Sequence, residues 1–317
     1  MNIIMYMFLV IFLMVSIAFF TLMERKVLGY IHIRKGPVKV GIMGVLQPFS
    51  DVVKLFIKGT WSMWFMNKML YIFMPCFSLF LMLMFWVLMS WDYNQIMMEY
   101  GIIYFLCISS LGVYTIMISG WASNSKYSLL GGLRGLAQVI SYEVGMAMIL
   151  LSLVCIVGNY NINYLMEFQL NYFLLWGFLI NFVMWFVSCL AETNRTPFDL
   201  SEGESELVSG FNVEYGSYGF AVLFMAEYGC IMYISMLSCV LFFGSLGTLY
   251  YCMLIMMYFF LLIRGTLVRF RYDALMLMAW SMILPVSINL FILFCYVKYL
   301  YCYLLCIMFS KTFSFLF

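Results

Sequence analysis

The sequence predicts an all-α polytopic membrane protein with eight transmembrane helices and a short interfacial amphipathic helix between the first two. Hydrophobic residues make up 66% of the 317 positions and charged residues only 9%, against about 25% charged in soluble domains. Apolar runs of about 20 residues, long enough to cross a bilayer, recur along the whole chain. We therefore expect a single membrane domain, residues 1–317, with little room for a soluble domain.

Eight segments have the length and apolarity of a membrane span. The sixth and seventh come from one long apolar run, which we divide at Gly244–Gly247 because the glycines there favour a turn. The predicted spans are Ile3–Met23, Met69–Trp91, Gly101–Ala122, Gly135–Gly158, Leu170–Ala191, Gly216–Phe243, Thr248–Ile263 and Ala274–Val297.

Basic residues concentrate on one side of this arrangement. Of the 16 Lys and Arg residues, all but Lys298 and Lys311 lie in loops 1–2, 3–4, 5–6 and 7–8. The alternate loops carry Asp92, Glu99 and Glu167 instead. The positive-inside rule then places the four basic loops inside and both termini on the opposite side. Merging or splitting one span would remove this separation, so the charge pattern favours eight spans.

The basic loop 1–2, residues 24–68, contains a predicted amphipathic helix that begins at Pro48. Apolar side chains on it repeat at the spacing of one helical face, which is typical of a helix lying in the membrane interface. One interpretation is a membrane anchor in contact with lipids, and the other is the frame of an entrance for a lipid-like ligand. The apolar stripe consists of Phe49, Val52, Val53, Phe56 and Ile57.

The acidic loop between spans five and six, residues 192–215, holds six of the 14 acidic residues. Charge near a bilayer is costly, so such a cluster indicates a site for protons, ions or a polar ligand. We predict a helix with Thr196 as its N-cap and Pro197 in its first turn. Asp199, Glu202 and Glu206 would share one face of that helix.

A solvated acidic face is the alternative interpretation of this loop, but Gly203 and Gly210 disfavour a simple surface helix. The mutual repulsion of the carboxylates instead requires partial protonation or nearby cations. We expect the balancing cations to be Arg25, Arg34 and Arg195.

Further carboxylates lie within or at the ends of the predicted spans. Glu24 closes span one, Glu143 lies about two turns into span four, Glu192 closes span five, and Glu227 lies within span six. Each could be a buried ion pair that only holds helices together. Their shared position in the inner half of the bilayer favours a common polar pathway that takes up and releases protons. Span four adds a polar stripe at i+4 spacing, formed by Arg134, Gln138 and Tyr142.

The cysteines and histidine do not indicate a metal site. Ten cysteines are scattered through apolar runs without a C-x-x-C pair, and the one histidine is His32. Zinc and iron–sulfur sites need clustered ligands of these types, so we expect neither here. Most cysteines are expected to be small buried thiols. We also expect no nucleic-acid partner.

Several stretches of the sequence closely resemble one known family. They resemble subunit 1 of NADH:ubiquinone oxidoreductase, respiratory complex I, over nearly the whole chain. The Met-, Phe- and Tyr-rich composition resembles mitochondrially encoded invertebrate members. The matching stretches are A-E-T-N-R-T-P-F-D-L-S-E-G-E-S-E-L-V-S-G-F-N-V-E-Y at Ala191–Tyr215, E-R-K-V-L-G-Y-I-H-I-R-K-G-P at Glu24–Pro37, L-Q-P-F-S-D-V-V-K-L-F at Leu46–Phe56, G-G-L-R-G-L-A-Q-V-I-S-Y-E-V at Gly131–Val144 and R-F-R-Y-D at Arg269–Asp273.

The resemblance implies a membrane subunit of the mitochondrial inner membrane, with the basic loops on the matrix side and both termini on the intermembrane-space side. It implies ubiquinone as the substrate, in a cavity at the junction with the peripheral arm. It implies no metal or covalently bound cofactor in this chain, since electrons arrive from an iron–sulfur cluster in a neighbouring subunit. The implied partners are the other membrane and peripheral-arm subunits.

The resemblance also implies roles for individual residues. Arg134 and Arg195 would balance charge. The implied proton-coupling path consists of Glu24, Tyr142, Glu143, Glu192, Asp199, Glu202, Glu206 and Glu227. The implied quinone cavity is lined by Arg25, Arg34, Phe49, Asp51, Val52, Phe56, Phe224 and Tyr228.

Two other functions remain open from the residues alone. A membrane subunit of a membrane-bound hydrogenase would share the fold and ion pathway but bind no quinone. A stand-alone proton or cation antiporter would favour lysines within the spans and paired broken helices. The first seven spans contain no lysine and the chain shows no internal repeat, which argues against the antiporter. A receptor or passive scaffold would leave the acidic loop unexplained.

Overall fold

The computed structural model describes residues 2–60, 64–88, 98–170, 173–201, 203–244 and 249–314. Within these ranges the chain is helical and has no β-strand. Seven of the described helices are long and apolar enough to cross a membrane, which confirms an all-α polytopic membrane protein. The helices are α1 (Asn2–Ile31), α2 (Gln47–Ile57), α3 (Lys68–Val87), α4 (Gly101–Ala122), α5 (Lys126–Val157), α6 (Ile162–Phe168), α7 (Leu174–Gly177), α8 (Leu179–Glu192), α9 (Glu204–Leu207), α10 (Ser217–Phe242), α11 (Leu249–Thr266), α12 (Tyr272–Leu277) and α13 (Leu284–Ser314).

The segment predicted as one fifth span is divided into two helices. The four-residue α7 is followed by the 14-residue α8, and Phe178 between them has the non-helical angles φ −123° and ψ 34°. Gly177 immediately precedes the break, and glycine is among the residues that destabilise a helix interior most. Neither piece alone is long enough to cross a bilayer core of about 30 Å.

Other helices also extend beyond their predicted spans, and the last, α13, continues to Ser314 rather than ending at Val297. α1 continues through Glu24 and ends at Ile31, and α5 begins at Lys126 rather than at Gly135. Ser125 is the N-cap of α5, and its Oγ accepts a hydrogen bond from the N–H of Ser128 at 3.4 Å. The predicted spans stopped at the first charged or glycine-rich stretch, whereas helical hydrogen bonding continues past the apolar region.

The break predicted between the sixth and seventh spans is confirmed. α10 ends at Phe242 and α11 begins at Leu249, while Gly244 adopts a left-handed φ of 52°. Glycine reaches this conformation without the steric cost that a Cβ atom imposes. Residues 245–248 lie outside the described part of the chain.

The interfacial helix α2 is confirmed as a helix, with Pro48 in its first turn. It packs against α1 and α10. Phe49 meets Phe19 of α1 edge-on, with ring centroids 6.0 Å apart. Val53, Phe56 and Ile57 stay exposed within this chain, so part of the apolar stripe is free to face lipid or a ligand.

α5 and α10 form the centre of the bundle. α5 packs against α4, α8 and α13, whereas α10 packs against α3 and α11. Large side chains at this centre, among them Trp185 and Tyr233, are completely buried. Contacts of Glu24 with Tyr228 and Arg264, and of Gln138 with the carbonyl of Ala191, bring the ends of α1, α8 and α11 to the same end of the bundle as the first halves of α5 and α10.

Candidate functional site

Glu24 is the most deeply buried carboxylate among the described side chains, with an exposed fraction of 5%. The hydroxyl of Tyr228 donates to its Oε2, and the guanidinium of Arg264 donates to its Oε1. These three side chains come from α10, α11 and α1, and they surround a small cavity of about 20 Å³. A phenol and a cation therefore hold this carboxylate between three helices.

Arg195 extends this arrangement toward the acidic loop. Its Nη2 donates to Oε2 of Glu227 at 3.4 Å, and its Cζ lies 4.4 Å from the ring centroid of Tyr228, a cation–π geometry. Only 8% of Arg195 is exposed. We call this continuous set the charged cluster, defined as Glu24, Arg195, Glu227, Tyr228 and Arg264.

Sequence reasoning missed Arg264. The only signal was an arginine in the last turn of an apolar helix, where cations are favoured by the helix dipole. Nothing in the spacing linked that arginine to Glu24, because the two residues stand at opposite ends of the sequence.

The prediction of a helix with Pro197 in its first turn is wrong. Residues 195–201 form turns and irregular backbone, and the described part of this loop beyond them contains only the four-residue α9 and a short 3-10 turn at Gly210–Asn212. The carbonyl of Pro197 accepts the N–H of Phe270 at 3.1 Å, and that of Phe198 accepts Nε2 of Gln138 at 2.8 Å. In a helix these carbonyl oxygens would accept hydrogen bonds from the N–H groups of the next turn, but here they accept hydrogen bonds from other elements.

Asp199 and Glu206 consequently share no helical face. Asp199 accepts Nη2 of Arg269 at 3.3 Å, whereas Glu206 accepts Nη1 of Arg134 at 2.6 Å. Glu202, the third carboxylate of the predicted face, lies outside the described residues.

The cations expected to balance the acidic loop are mostly engaged elsewhere. Arg25 pairs with Asp51 at 2.5 Å, and Gln47 donates to the other oxygen of Asp51 at 3.0 Å. Arg34 is exposed and forms no ion pair within the described ranges. Arg134, which the resemblance implied as a charge-balancing residue, pairs with Glu206 of the loop, and Arg269, from the segment before α12, pairs with Asp199. The reason is spatial, since both arginines come from elements packed directly against the loop.

A larger cavity of about 120 Å³ lies beside the charged cluster, and we call it the polar cavity. Glu192 and Glu227 both line it. Oε2 of Glu192 is buried and has no hydrogen-bond partner among the described residues. Ser109 also lines the cavity and donates to Oε1 of Glu143 at 3.4 Å. Two carboxylates, from α8 and α10, therefore line one space, and a third, from α5, is joined to its lining by one hydrogen bond.

The predicted polar stripe of α5 contacts three different elements. Arg134 binds Glu206, Gln138 donates to the carbonyls of Ala191 and Phe198 at 2.8 Å each, and Tyr142 donates to the carbonyl of Leu275 at 3.1 Å. Tyr142 thus joins α5 to α12 and binds no carboxylate directly. The stripe positions the acidic loop and α12 against α5.

The aromatic residues assigned to a quinone cavity lie on two helices that pack together. Phe224 and Tyr228 follow each other along α10, with ring centroids 6.3 Å apart. Phe49, Val52 and Phe56 lie on α2, and Val52 is half-buried. The structure thus brings the two sets into neighbouring positions beside α1.

The end of the acidic loop is fixed to α3. The hydroxyl of Tyr71 donates to the carbonyl of Glu214 at 2.8 Å, and its ring stacks on that of Tyr215 at a centroid distance of 4.3 Å. Burial raises the pKa of the Tyr215 phenol well above its usual range, so Tyr215 stays neutral.

No group of three or more His, Cys, Asp or Glu side chains in the described part of the chain is arranged to hold a metal ion. The charged groups are instead carboxylates paired with arginines at one end of the bundle. Fold and site together define a polytopic membrane subunit that concentrates ionisable groups within the bilayer, a class that moves charge or protons.

Comparison with known proteins narrows this class. The family model for NADH dehydrogenase matches residues 4–295. The chain is 56% identical over 294 residues to NADH-ubiquinone oxidoreductase chain 1 of Aedes aegypti, covering 92% of this chain and 94% of that protein. It is 54% identical to the protein of the same name from Rhipicephalus sanguineus over 287 residues, covering 90% and 92% of the two chains.

A more distant relative of the same name, from Heterololigo bleekeri, is 48% identical over 282 residues, covering 86% of this chain and 89% of that protein. The chain therefore belongs to the NADH dehydrogenase family, as a member of the subunit 1 group of respiratory complex I. The relatives confirm the invertebrate-like character inferred from composition.

Proposed function

We propose that this chain forms the quinone-binding cavity where the membrane part of complex I meets its peripheral arm, and that its carboxylates couple quinone reduction to proton translocation. The observation that carries the proposal is the polar cavity shared by Glu192 and Glu227. Glu227 belongs to the charged cluster as well, so one carboxylate connects the two sites. The name that the relatives share, NADH-ubiquinone oxidoreductase chain 1, favours a quinone-linked function over the hydrogenase and antiporter alternatives.

Ubiquinone is the proposed substrate, entering from the bilayer between α1, α2 and α10. The exposed apolar side chains of α2 support such an entrance, because a lipid-like quinone tail needs an apolar surface. Phe224 and Tyr228 would continue that surface inward, and Asp51 with Arg25 would mark its polar end. Electrons would come from an iron–sulfur cluster in a neighbouring subunit, and lipids would cover the rest of α2.

Coupling would begin in the charged cluster. Reduction of a quinone to a quinol takes up two electrons and two protons, so it changes the charge near Glu24, Tyr228 and Arg195. Because Arg195 contacts both Tyr228 and Glu227, a change on one side alters the field at the other. Glu227 would respond by changing its protonation.

The polar cavity would carry this change onward. A cavity of about 120 Å³ has room for several ordered waters, which need polar partners such as carboxylates and hydroxyls. Glu192 would exchange a proton with Glu227 through such water, and Glu143 would follow through Ser109. Asp199, Glu202 and Glu206 would set the charge of the adjoining loop.

We further infer eight membrane crossings in the mitochondrial inner membrane, with α7 and α8 together as the fifth. The first half of α5 lies beside the last residues of α8, since Gln138 binds the carbonyl of Ala191. α5 then runs to Val157 at the opposite end of the bundle. Tyr160 lies at that opposite end too, where its carbonyl accepts the N–H of Ile102 at the start of α4. The chain from Tyr160 to Glu192 must therefore return across the bundle.

Replacing Glu192 with Gln tests the coupling. We expect Glu192→Gln to leave the complex assembled but to lower NADH:ubiquinone turnover coupled to proton pumping by about 10²-fold, the lower end of what proton transfer by a positioned side chain typically contributes. Proton pumping would be measured in proteoliposomes alongside NADH oxidation. Glu167→Gln is the matched control, because Glu167 is an exposed carboxylate on α6 outside the site. Full pumping in Glu192→Gln would refute the proposed path.

A further inference from the structure

Two cysteines from different helices face each other at the end of the bundle opposite the charged cluster. The sulfurs of Cys155 on α5 and Cys295 on α13 are 3.1 Å apart, and both side chains are partly buried. Cys155 lies about 18 Å, at 1.5 Å per residue, along α5 from Glu143, the nearest residue of that helix assigned to proton chemistry. The pair is thus separate from every residue assigned to quinone or proton chemistry.

We propose that Cys155 and Cys295 form a reversible, redox-sensitive disulfide that ties α5 to α13. A disulfide has an S–S bond of about 2.05 Å, so the two sulfurs need to approach by only about 1 Å from their observed distance. α5 and α13 already pack against each other along their length, so closing the bond would require small side-chain rotations and no rearrangement of helices.

Lys298 brings a positive charge to the same place. It stands one turn after Cys295 on α13, and its Nζ lies 3.0 Å from the position of a Cβ atom built on Gly158, at the C-terminus of α5. A neighbouring lysine favours the reactive thiolate, whereas apolar burial opposes it. The pair therefore combines two adjacent thiols with a nearby cation.

The oxidant would be a peroxide. One thiolate attacks a peroxide oxygen, an S–O bond forms as the O–O bond breaks, and the leaving hydroxide takes up the proton that the thiol released, giving the first water. The second thiol then attacks that sulfur, the S–S bond forms as the S–O bond breaks, and the hydroxyl group leaves with the proton of the second thiol as the second water. In total the two thiols lose two electrons and the peroxide is reduced to two waters. A dithiol reductant reduces the disulfide back to two thiols.

The bond would restrain α13 relative to α5. Tyr142 already binds Leu275 near the other end of these helices, and the π-helical segment Met278–Ile283 lies between the two contacts. π-helical segments are uncommon and frequent at functional sites. With a disulfide at Cys295, α12 and α13 would be attached to α5 on both sides of this irregular segment, by the Tyr142–Leu275 contact before it and by the disulfide after it.

The experiment uses the intact complex in native membranes. Membranes are treated with hydrogen peroxide or buffer, free thiols are blocked with N-ethylmaleimide, and peptides are identified by mass spectrometry. We expect peroxide to produce a Cys155–Cys295 cross-linked peptide and a several-fold loss of alkylation at both sites. Dithiothreitol should reverse both effects, and Cys76 and Cys107 serve as reference thiols.

Two outcomes would overturn the proposal, namely oxidation of either cysteine without the cross-link or unchanged alkylation of both after peroxide. Cys295→Ser should abolish the cross-link and leave Cys155 open to alkylation. Cys107→Ser, a matched control on α4, should leave the cross-link unchanged. If Cys295→Ser fails to assemble, the peptides of the unmodified complex still decide the question.

Discussion

At the scale of single residues, buried charges in this chain are satisfied by partners from other elements. Glu24 on α1 binds Arg264 of α11, and Asp199 binds Arg269 from the segment before α12. A buried ion pair contributes little net stability when intact, because both charges lose water. Removing one partner is different, since it leaves the other charge buried and unpaired.

Arg264→Met should therefore destabilise the protein by about 3 kcal/mol, the lower end of the range of about 3–5 kcal/mol found when one partner of a buried pair is removed. The pair is only partly buried, with 33% of the Arg264 side chain and 6% of the Glu24 side chain exposed, so screening reduces the effect. The measurement is the thermal denaturation midpoint of the purified complex, together with its yield on native gels.

Arg271→Met is the matched control for this substitution. Arg271 pairs with Asp273 at 3.0 Å, but their side chains are 85% and 66% exposed, and exposed pairs contribute about 0–1 kcal/mol. Combining Arg264→Met with Glu24→Gln should recover part of the lost stability, because the carboxylate is then neutral. Equal effects of Arg264→Met and Arg271→Met would contradict the burial of the Glu24 pair.

At the scale of elements, close approach of two backbones fixes the acidic loop on α5. A Cβ atom on Gly131 would lie 2.7 Å from the nitrogen of Phe211 and 2.8 Å from two atoms of Gly210. These are backbone atoms, so no side-chain rotation can relieve the overlap. Glycine at this position lets the turn Gly210–Asn212 rest directly on the helix.

Gly131→Ala should consequently push the loop away from α5. Overpacking of this kind costs about 1–3 kcal/mol, of which the better helix propensity of alanine offsets about 1 kcal/mol. We expect a lower denaturation midpoint and less assembled complex on native gels. Gly177→Ala is the control, because no atom lies within 4 Å of the Cβ position there. If both variants are equally stable, the backbone contact does not constrain the loop.

Elements with a local signal were predicted from the sequence, and those that depend on distant partners were not. The spacing of apolar residues after Pro48 predicted α2, and Gly244 and Gly247 predicted the break before α11. Each of these signals lies within the segment whose structure it predicts. The turns at residues 195–201 were mistaken for a helix, since their backbone partners, Gln138 and Phe270, lie far away in sequence. The Glu24–Arg264 pair was missed for the same reason.

At the scale of the whole molecule, the number of crossings determines which groups share a side. An even number places both ends of the chain on one side, and an odd number separates them. α7 and α8 together span 19 residues from Leu174 to Glu192, about 28 Å at 1.5 Å per residue. This length approaches the bilayer core of about 30 Å, so the divided fifth segment is long enough to serve as one crossing.

We therefore expect epitope tags fused before Met1 and after Phe317 to be accessible from the same side of the membrane. The proposed topology makes that side the intermembrane space, because the basic loops, with 14 of the 16 Lys and Arg residues, would face the matrix. Protease protection would be compared in mitoplasts and in inverted inner-membrane vesicles. Both terminal tags should be cleaved in mitoplasts only, whereas a tag inserted at the exposed Val40 of loop 1–2 should be cleaved in inverted vesicles only. Terminal tags on opposite sides would mean an odd number of crossings and would contradict the assignment of α7 and α8 together as the fifth crossing.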